Sequence, residues 1–398
     1  MSAGAVSLPR IREIFLSFLA LGLTSFGGPA AHLSFFRNEF VARKRWLSEQ
    51  DYADLVALCQ FLPGPASSQV GFAIGLKRGG GWGAAAAWAA FTLPSTIIML
   101  AFAMSASLLE GPISQGIIHG LKVAAVAVVA HAVLGMARNL CPDRKRAGIA
   151  LAAVLLVVFV GGTVGQISAI ILGALAGLAL CRFDDDGASG HSGLSVSATT
   201  GRLTAFLYGF LLAGLPLLVW LTPSTLVEML DAFYRTGALV FGGGHVMLPL
   251  LEAEVVQTGW LTADEFLAGY GAVQAMPGPL FTFPAYLGAV MEPGAPITWG
   301  LLALIAIFLP GMLILLAVLP HWNNFRRWHR AQSLMRGANA AVVGILGAAL
   351  YQPVFTSAIV GAEEFALALT GFMLLTVWKL PAWGVVLVMA AGGVALGA

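Results

Sequence analysis

One set of landmarks occurs twice in this chain, in the same order, and any fold must accommodate both copies. Phe26-Gly27-Gly28-Pro29 recurs as Phe241-Gly242-Gly243-Gly244, and Arg45-Trp46-Leu47-Ser48 recurs as Gly259-Trp260-Leu261-Thr262. The break Pro63-Gly64-Pro65 returns as Pro277-Gly278-Pro279, and Leu93-Pro94-Ser95 returns as Leu309-Pro310-Gly311. His119-Gly120-Leu121-Lys122 matches Arg336-Gly337-Ala338-Asn339, and the offset stays near 215 residues throughout. This is an internal duplication. The halves are residues 1–182 and 203–398, joined by an acidic, Gly- and Ser-rich stretch, 183–202, that reads as a cytoplasmic linker.

Composition decides the medium. The chain is 59% hydrophobic and 10% charged, where soluble domains carry about 25% charged residues. Apolar runs long enough to cross a bilayer extend over 84–109, 148–181, 203–221, 297–319 and from Phe365 onward. The expected fold class is an all-α polytopic membrane protein. A net charge of +2 gives no field for nucleic acid. Cys59, Cys141 and Cys181 are too scattered for a metal site, and buried free thiols are expected. No cleavable signal peptide is read at the start of the chain.

Charge then orients the copies. The first carries Arg37, Arg43, Lys44, Arg45, Lys77 and Arg78 in its loops. The second has Glu252, Glu254, Asp264, Glu265 and Glu292 at the equivalent places and no Lys or Arg. Cytoplasmic loops are enriched in Lys and Arg, so the halves are expected to be inverted repeats, with the N-terminus cytoplasmic beside Arg10 and Arg12. Both basic loops of the first half face the same side, and the apolar stretch between them is too short for two spans of about 20 residues each. A re-entrant hairpin turning at Pro63-Gly64-Pro65 fits. Residues 11–36, interrupted at Gly27-Gly28, are either a second hairpin or one tilted helix.

A helix broken at membrane depth survives only where it lines protein or a water-filled cavity. In return it exposes a helix N-terminus with free N–H groups and about half a positive charge, which suits an anion. Pro65 is tolerated in a first helical turn, and Ser67, Ser68 and Gln69 add donors there, as Thr282 does in the second copy. Paired breaks in an inverted repeat bring helix ends to one central substrate in many secondary transporters. The candidate substrate-binding residues are therefore Gly27, Gly28, Pro63, Gly64, Pro65, Ser67, Ser68, Gln69, Gly242, Gly243, Pro277, Gly278, Pro279 and Thr282.

These same stretches, from Phe26-Gly27-Gly28-Pro29 through Arg45-Trp46-Leu47-Ser48 to Gln60-Phe61-Leu62-Pro63-Gly64-Pro65, with a degenerate second copy, resemble the chromate ion transporter family in its long, two-domain form. The likeness covers nearly the whole chain apart from the linker and the C-terminal end. It implies a multi-pass protein of the bacterial inner membrane that moves chromate outward and confers chromate resistance. Sulfate, a dianion of similar shape, is the natural competitor.

Isolated ionisable groups in apolar context complete the candidate set. Lys122 lies within a long apolar run, and Arg336 falls one turn before its counterpart Asn339. Each could meet a dianion or snorkel to an interface. His131 lies further along the same run as Lys122 and ranks behind it. His245 and His32 follow the glycine runs and could bind anion or relay protons. His32, Glu39 and Glu254 are the proton-coupling candidates, with loop-capping ion pairs as the alternative for the two acids. No HExxH, GxSxG or P-loop occurs, so neither enzyme activity, cofactor nor metal is expected, and energy must come from gradients. A dianion leaving a negative-inside cell gains roughly 4.6 kcal/mol per 100 mV, so export needs no co-substrate. A sulfate symporter and a passive anion channel are the alternatives. Small-xxx-small pairs at Gly75/Gly79 and Gly173/Gly177 suit packing within the chain or a homodimer equally.

Overall fold

The computed structural model describes residues 8–106, 111–181, 196–322 and 328–397. Glu110, residues 183–195 of the expected linker and Arg326-Arg327 lie outside the described residues. All regular structure among the described residues is helical. Among the described residues, six helices are long and apolar enough to cross a membrane, so by its helices the chain is a multi-pass membrane protein.

The first half opens with α1 (Leu8–Thr24) and α2 (Gly28–Phe36), the latter continuing as a π-helical stretch to Arg43. Contacts join α1 to the stretch that follows α2. Phe18 of α1 stacks on Phe40 with ring centroids 4.7 Å apart, and Lys44 donates to Ser17 at 2.7 Å. The chain has folded back on itself at Gly27-Gly28. A second reversal follows between α3 (Glu49–Phe61) and α4 (Ala66–Ala106). Lys77 of α4 meets Asp51 of α3 at 2.7 Å, which places the turn at Pro63-Gly64-Pro65. Helix α4 is itself two helices, because Gly79 and Gly80 leave the helical region, and Gly75 lies against Gly83 across that fold.

The second half repeats this plan. Helices α9 (Thr225–Leu239) and α10 (Met247–Val255) flank the glycine run, and α11 (Ala263–Gln274) and α12 (Phe283–Met291) flank Pro277-Gly278-Pro279. Both copies cap the helix that leads into the Pro-Gly-Pro break, Ser48 accepting from the Asp51 N–H and Thr262 from the Glu265 N–H. In the second copy Glu265 returns the bond to the Thr262 N–H, a complete capping box.

Long helices follow the breaks in each half: α5 (Pro112–Leu140), α6 (Arg144–Val160) and α7 (Gly162–Leu180), then α8 (Ala198–Leu221). The second half contributes α13 (Pro296–Val318), α14 (His329–Ala349), α15 (Ala362–Thr376) and α16 (Ala382–Gly397). Two expectations are corrected here. Residues 198–202, expected in the linker, begin α8, where Ser197 accepts from the Thr200 N–H and starts the helix early. The apolar run from Phe365 is two short helices, interrupted between Thr376 and Ala382, where Lys379 adopts φ +54°.

The halves exchange their hairpins. Helix α7 of the first half packs on α14 of the second through Gly173, Gly177 and Gly337, and α16 of the second packs on α5 of the first through Gly116, Gly120 and Gly393. The small residues at Gly173 and Gly177 thus serve packing within the chain, letting helix backbones touch. A Cβ on Gly337 would stand 2.0 Å from the Gly173 carbonyl oxygen. Gly337→Leu is accordingly expected to lower stability by about 3 kcal/mol, the upper end for overpacking, read as an earlier thermal unfolding transition in detergent.

Candidate functional site

The four interruptions meet at one place, and they meet crosswise. The Gly64 N–H of the first Pro-Gly-Pro donates to the carbonyl of Val240, two residues before Gly242, at 2.8 Å. The Gly278 N–H of the second Pro-Gly-Pro donates to the carbonyl of Ser25, two residues before Gly27, at 2.9 Å. Each break is thereby pinned to the opposite half's glycine run. The same exchange holds for the kinked helices behind them: Gly64 abuts Gly311 on α13, and Gly278 abuts Ser95 on α4. Glycine is required at both turns. Gly64 has φ +116° and Gly278 φ +95°, conformations that a side chain disfavours.

Around this cross the first copy supplies the polar groups. Gln69, fully buried, donates through Nε2 to the carbonyls of Pro63 at 2.9 Å and Gly311 at 2.8 Å. It ties the break to the other half's kink. Gln69→Leu, close in volume, would remove both bonds and the tie between the break and the other half's kink, an expected loss of about 1–3 kcal/mol visible as a lower unfolding temperature. Ser67 Oγ lies 3.4 Å from His32 Nδ1. The Ser68 hydroxyl and His32 Nε2 are buried and have no hydrogen-bond partner. Thr282, at the equivalent of Ser68, instead closes its own turn by donating to Pro279 at 2.9 Å.

Two spaces adjoin the cross. The first is a cavity of about 10 Å³ lined from all four breaks by Pro29, Pro65, Gly244 and Pro279, together with His32 and Ser67. That is close to the threshold for one water and too small for a four-oxygen anion. The second is a chamber of about 470 Å³ beside it, bordered by Gly27, Gly28, His131, His245, Gln274, Gly278 and Lys379. Leu280 lines both. No carboxylate is among the chamber's lining residues. Helix α2 begins there, with Gly27 at its N-cap and no side chain capping its first N–H groups, so its positive end is presented to the chamber. His245 is oriented by Tyr270, whose hydroxyl lies 2.7 Å from Nδ1. Gln274, 8% exposed, has an Nε2 donor with no partner.

The remaining candidates lie elsewhere. Lys122 Nζ reaches Asp264 Oδ1 at 2.9 Å, at the start of α11, and does not line the chamber. Arg336 sits on α14 away from the chamber, and Asn339 Oδ1 lies near Gly242. Gly243 keeps φ +137° beside its neighbour but lines neither space. Glu39 is held by Arg43, with Lys44 at 3.8 Å. Glu254 is held by Arg235 at 2.7 Å and by the Thr163 hydroxyl at 2.9 Å, and Arg235 also grips Asp231 at 2.6 Å. Asp231 is a buried member of α9.

Sequence reasoning missed Gln274, Lys379 and Arg235. The rule that singled out Lys122, a lone cation in apolar sequence, applies equally to Lys379 in Val377-Trp378-Lys379-Leu380-Pro381. Gln274 carries no such signal, since only the fold places it at the chamber.

A family model described as chromate transporter matches residues 12–178 and 227–396. The chromate transport protein of Pseudomonas aeruginosa is 26% identical over 96% of this chain and 90% of its own length. A probable chromate transport protein of Synechococcus elongatus is 28% identical over 87% of this chain and 84% of its own length. An uncharacterized transporter of Methanocaldococcus jannaschii is 25% identical over 85% and 83%. No solved structure matches the chain.

Proposed function

This chain belongs to the chromate transporter family, and on that premise we propose that it exports chromate across the bacterial inner membrane, binding the dianion where the four broken segments converge. The observation that carries the reading is the reciprocal pair of bonds, Gly64 N–H to Val240 and Gly278 N–H to Ser25. They relate the two halves by exchange, as expected of an inverted repeat with its substrate site on the pseudo-twofold axis. The acid-free chamber beside them holds His245 and the positive end of α2, a set suited to an oxyanion.

In this reading the basic loops of the first half face the cytoplasm, and the breaks enter as re-entrant hairpins from opposite sides. The dianion occupies the chamber, and passage requires Leu280 to yield, because the adjoining cavity of about 10 Å³ excludes it. That closure favours a carrier over an open channel, since alternating access rocks one repeat against the other around a fixed site. Lys122 serves here to tie α5 to α11 through Asp264. Export runs on the membrane potential; Glu39 and Glu254 are engaged in ion pairs, so proton exchange is a refinement rather than a requirement.

Radiolabelled chromate flux into everted vesicles at clamped potential tests the proposal. Protein-dependent accumulation that sulfate inhibits is the expected result, and equal flux with and without the protein would remove chromate as the substrate. Leu280→Ala, which copies Ala66 of the first half, is expected to speed the initial flux in the same assay. A slower or unchanged rate would show that Leu280 does not stand in the path.

A further inference from the structure

We propose that the tip of the α15–α16 hairpin is a substrate-binding element, and that the Lys379 ammonium on it selects divalent over monovalent oxyanions. The inference rests on the chamber being the oxyanion site.

Length is the first observation. Helices α15 and α16 contain 15 and 16 residues, about 22 and 24 Å at 1.5 Å per residue, short of the ~30 Å hydrocarbon core. Neither is among the six helices long enough to cross. Their open ends lie together near one end of α5: Glu364 is 3.6 Å from His119, and Gly393 packs on Gly116. The turn lies far from that end, lining the chamber with His131, well along α5. The hairpin therefore enters and leaves on one side, with its turn at membrane depth. Trp383 anchors that turn against Phe26, ring centroids 5.9 Å apart, directly beside Gly27.

The turn carries a cation where hydrocarbon would reject one. Lys379 borders the chamber and has no hydrogen-bond or ion-pair partner among the described residues. Its φ of +54° is unusual for a residue other than glycine, and such backbone strain clusters at ligand clamps and active sites. The uncapped start of α2 and Gln274 line the same chamber. In this arrangement a four-oxygen anion in the chamber meets the helix end with some oxygens and the ammonium with the others. The helix end offers only about half a charge, and Lys379 is the one Lys or Arg among the chamber's lining residues, so it is the fixed charge that answers a second negative charge on the ligand. The equivalent turn of the first half, at Gly161-Gly162, has no cation, so the charge marks one hairpin of the pair.

The test is equilibrium binding of radiolabelled chromate to the purified full-length protein, with sulfate and perchlorate as competitors. Sulfate is a tetrahedral dianion and perchlorate a tetrahedral monoanion. The wild type is expected to bind chromate, with sulfate displacing it well and perchlorate poorly. Lys379→Gly, which relieves the strained φ while removing the charge, and Lys379→Gln are expected to weaken chromate about tenfold or more, as loss of a charge-assisted contact does. Perchlorate competition should change little in both, so the preference for dianions collapses. Lys379→Arg should stay within about threefold of wild type, because the charge is kept. Folded Lys379→Gly and Lys379→Gln proteins with wild-type chromate affinity would overturn this inference and leave the proposed function standing. A wild-type protein that binds neither dianion would overturn both.

Discussion

Gly64→Ala is expected to abolish chromate flux in protein that still reaches the membrane, whereas Gly278→Ala is expected to be partly rescued by Ser95→Gly. Both glycines hold left-handed backbone, φ +116° and +95°, and each donates its N–H to the opposite half. A Cβ on Gly64 would lie 2.9 Å from the Gly311 Cα, a backbone atom that cannot move without shifting α13. A Cβ on Gly278 would lie 2.8 Å from Ser95 Oγ, a side-chain atom that a second substitution removes. The strained φ remains in both, at about 1–3 kcal/mol. Overpacking adds about 1–3 kcal/mol at Gly64, and each 1.4 kcal/mol is a factor of about ten. Flux should therefore fall by about a hundredfold or more in Gly64→Ala, and Gly278→Ala/Ser95→Gly should recover part of its loss. Equal flux from Gly64→Ala and wild type would show that the crossed contact does not hold the site in its working shape.

Arg235→Ala is expected to lower stability by about 3–5 kcal/mol, the range for removing one partner of a buried ion pair. Arg235 bridges Asp231 at 2.6 Å and Glu254 at 2.7 Å, and the two carboxylates have side chains only 10% and 12% exposed. Without the guanidinium two acids share a site with no cation. Neutralising them together, in Asp231→Asn/Arg235→Ala/Glu254→Gln, should restore much of the loss, because desolvation then penalises no charge. Thermal unfolding of the purified proteins reads both effects. The same variants bear on coupling: if Glu254 carries an exchanged proton, Glu254→Gln alone should keep potential-driven flux and lose any response to a pH gradient. A retained pH response would assign Glu254 to structure, as its bonds to Arg235 and Thr163 suggest.

The candidate residues divide by how they could be found. Gly64 and Gly278 were legible because proline and glycine in an apolar run state a local backbone fact, and their repetition multiplies its weight. Lys122 and Lys379 were equally conspicuous as lone cations, yet one ties α5 to an exposed acid and the other borders the chamber. Nothing local separates them, because a long flexible side chain can reach either way. Arg235 was passed over for a different reason. It has no counterpart in the first half, and its partners lie four residues away on its own helix and across the glycine turn. The Gly173 and Gly177 pair was ambiguous between one chain and two until Gly337 was seen against it.

By itself the sequence determined the medium, the duplication and the points where helices stop. Each of these depends on hydrophobicity, on self-similarity or on the fixed φ and missing N–H of proline, which are properties of short segments. The tertiary structure alone decided that each Pro-Gly-Pro meets the other half's glycine run, that each half's terminal hairpin packs on the other half's long helix, and that Leu280 lines both the chamber and the small cavity. The physical reason is that the two copies present nearly equivalent surfaces. Packing within a half and packing across halves satisfy the same local preferences, so the choice between them depends on the fit of whole helices meeting about 215 residues apart in the chain.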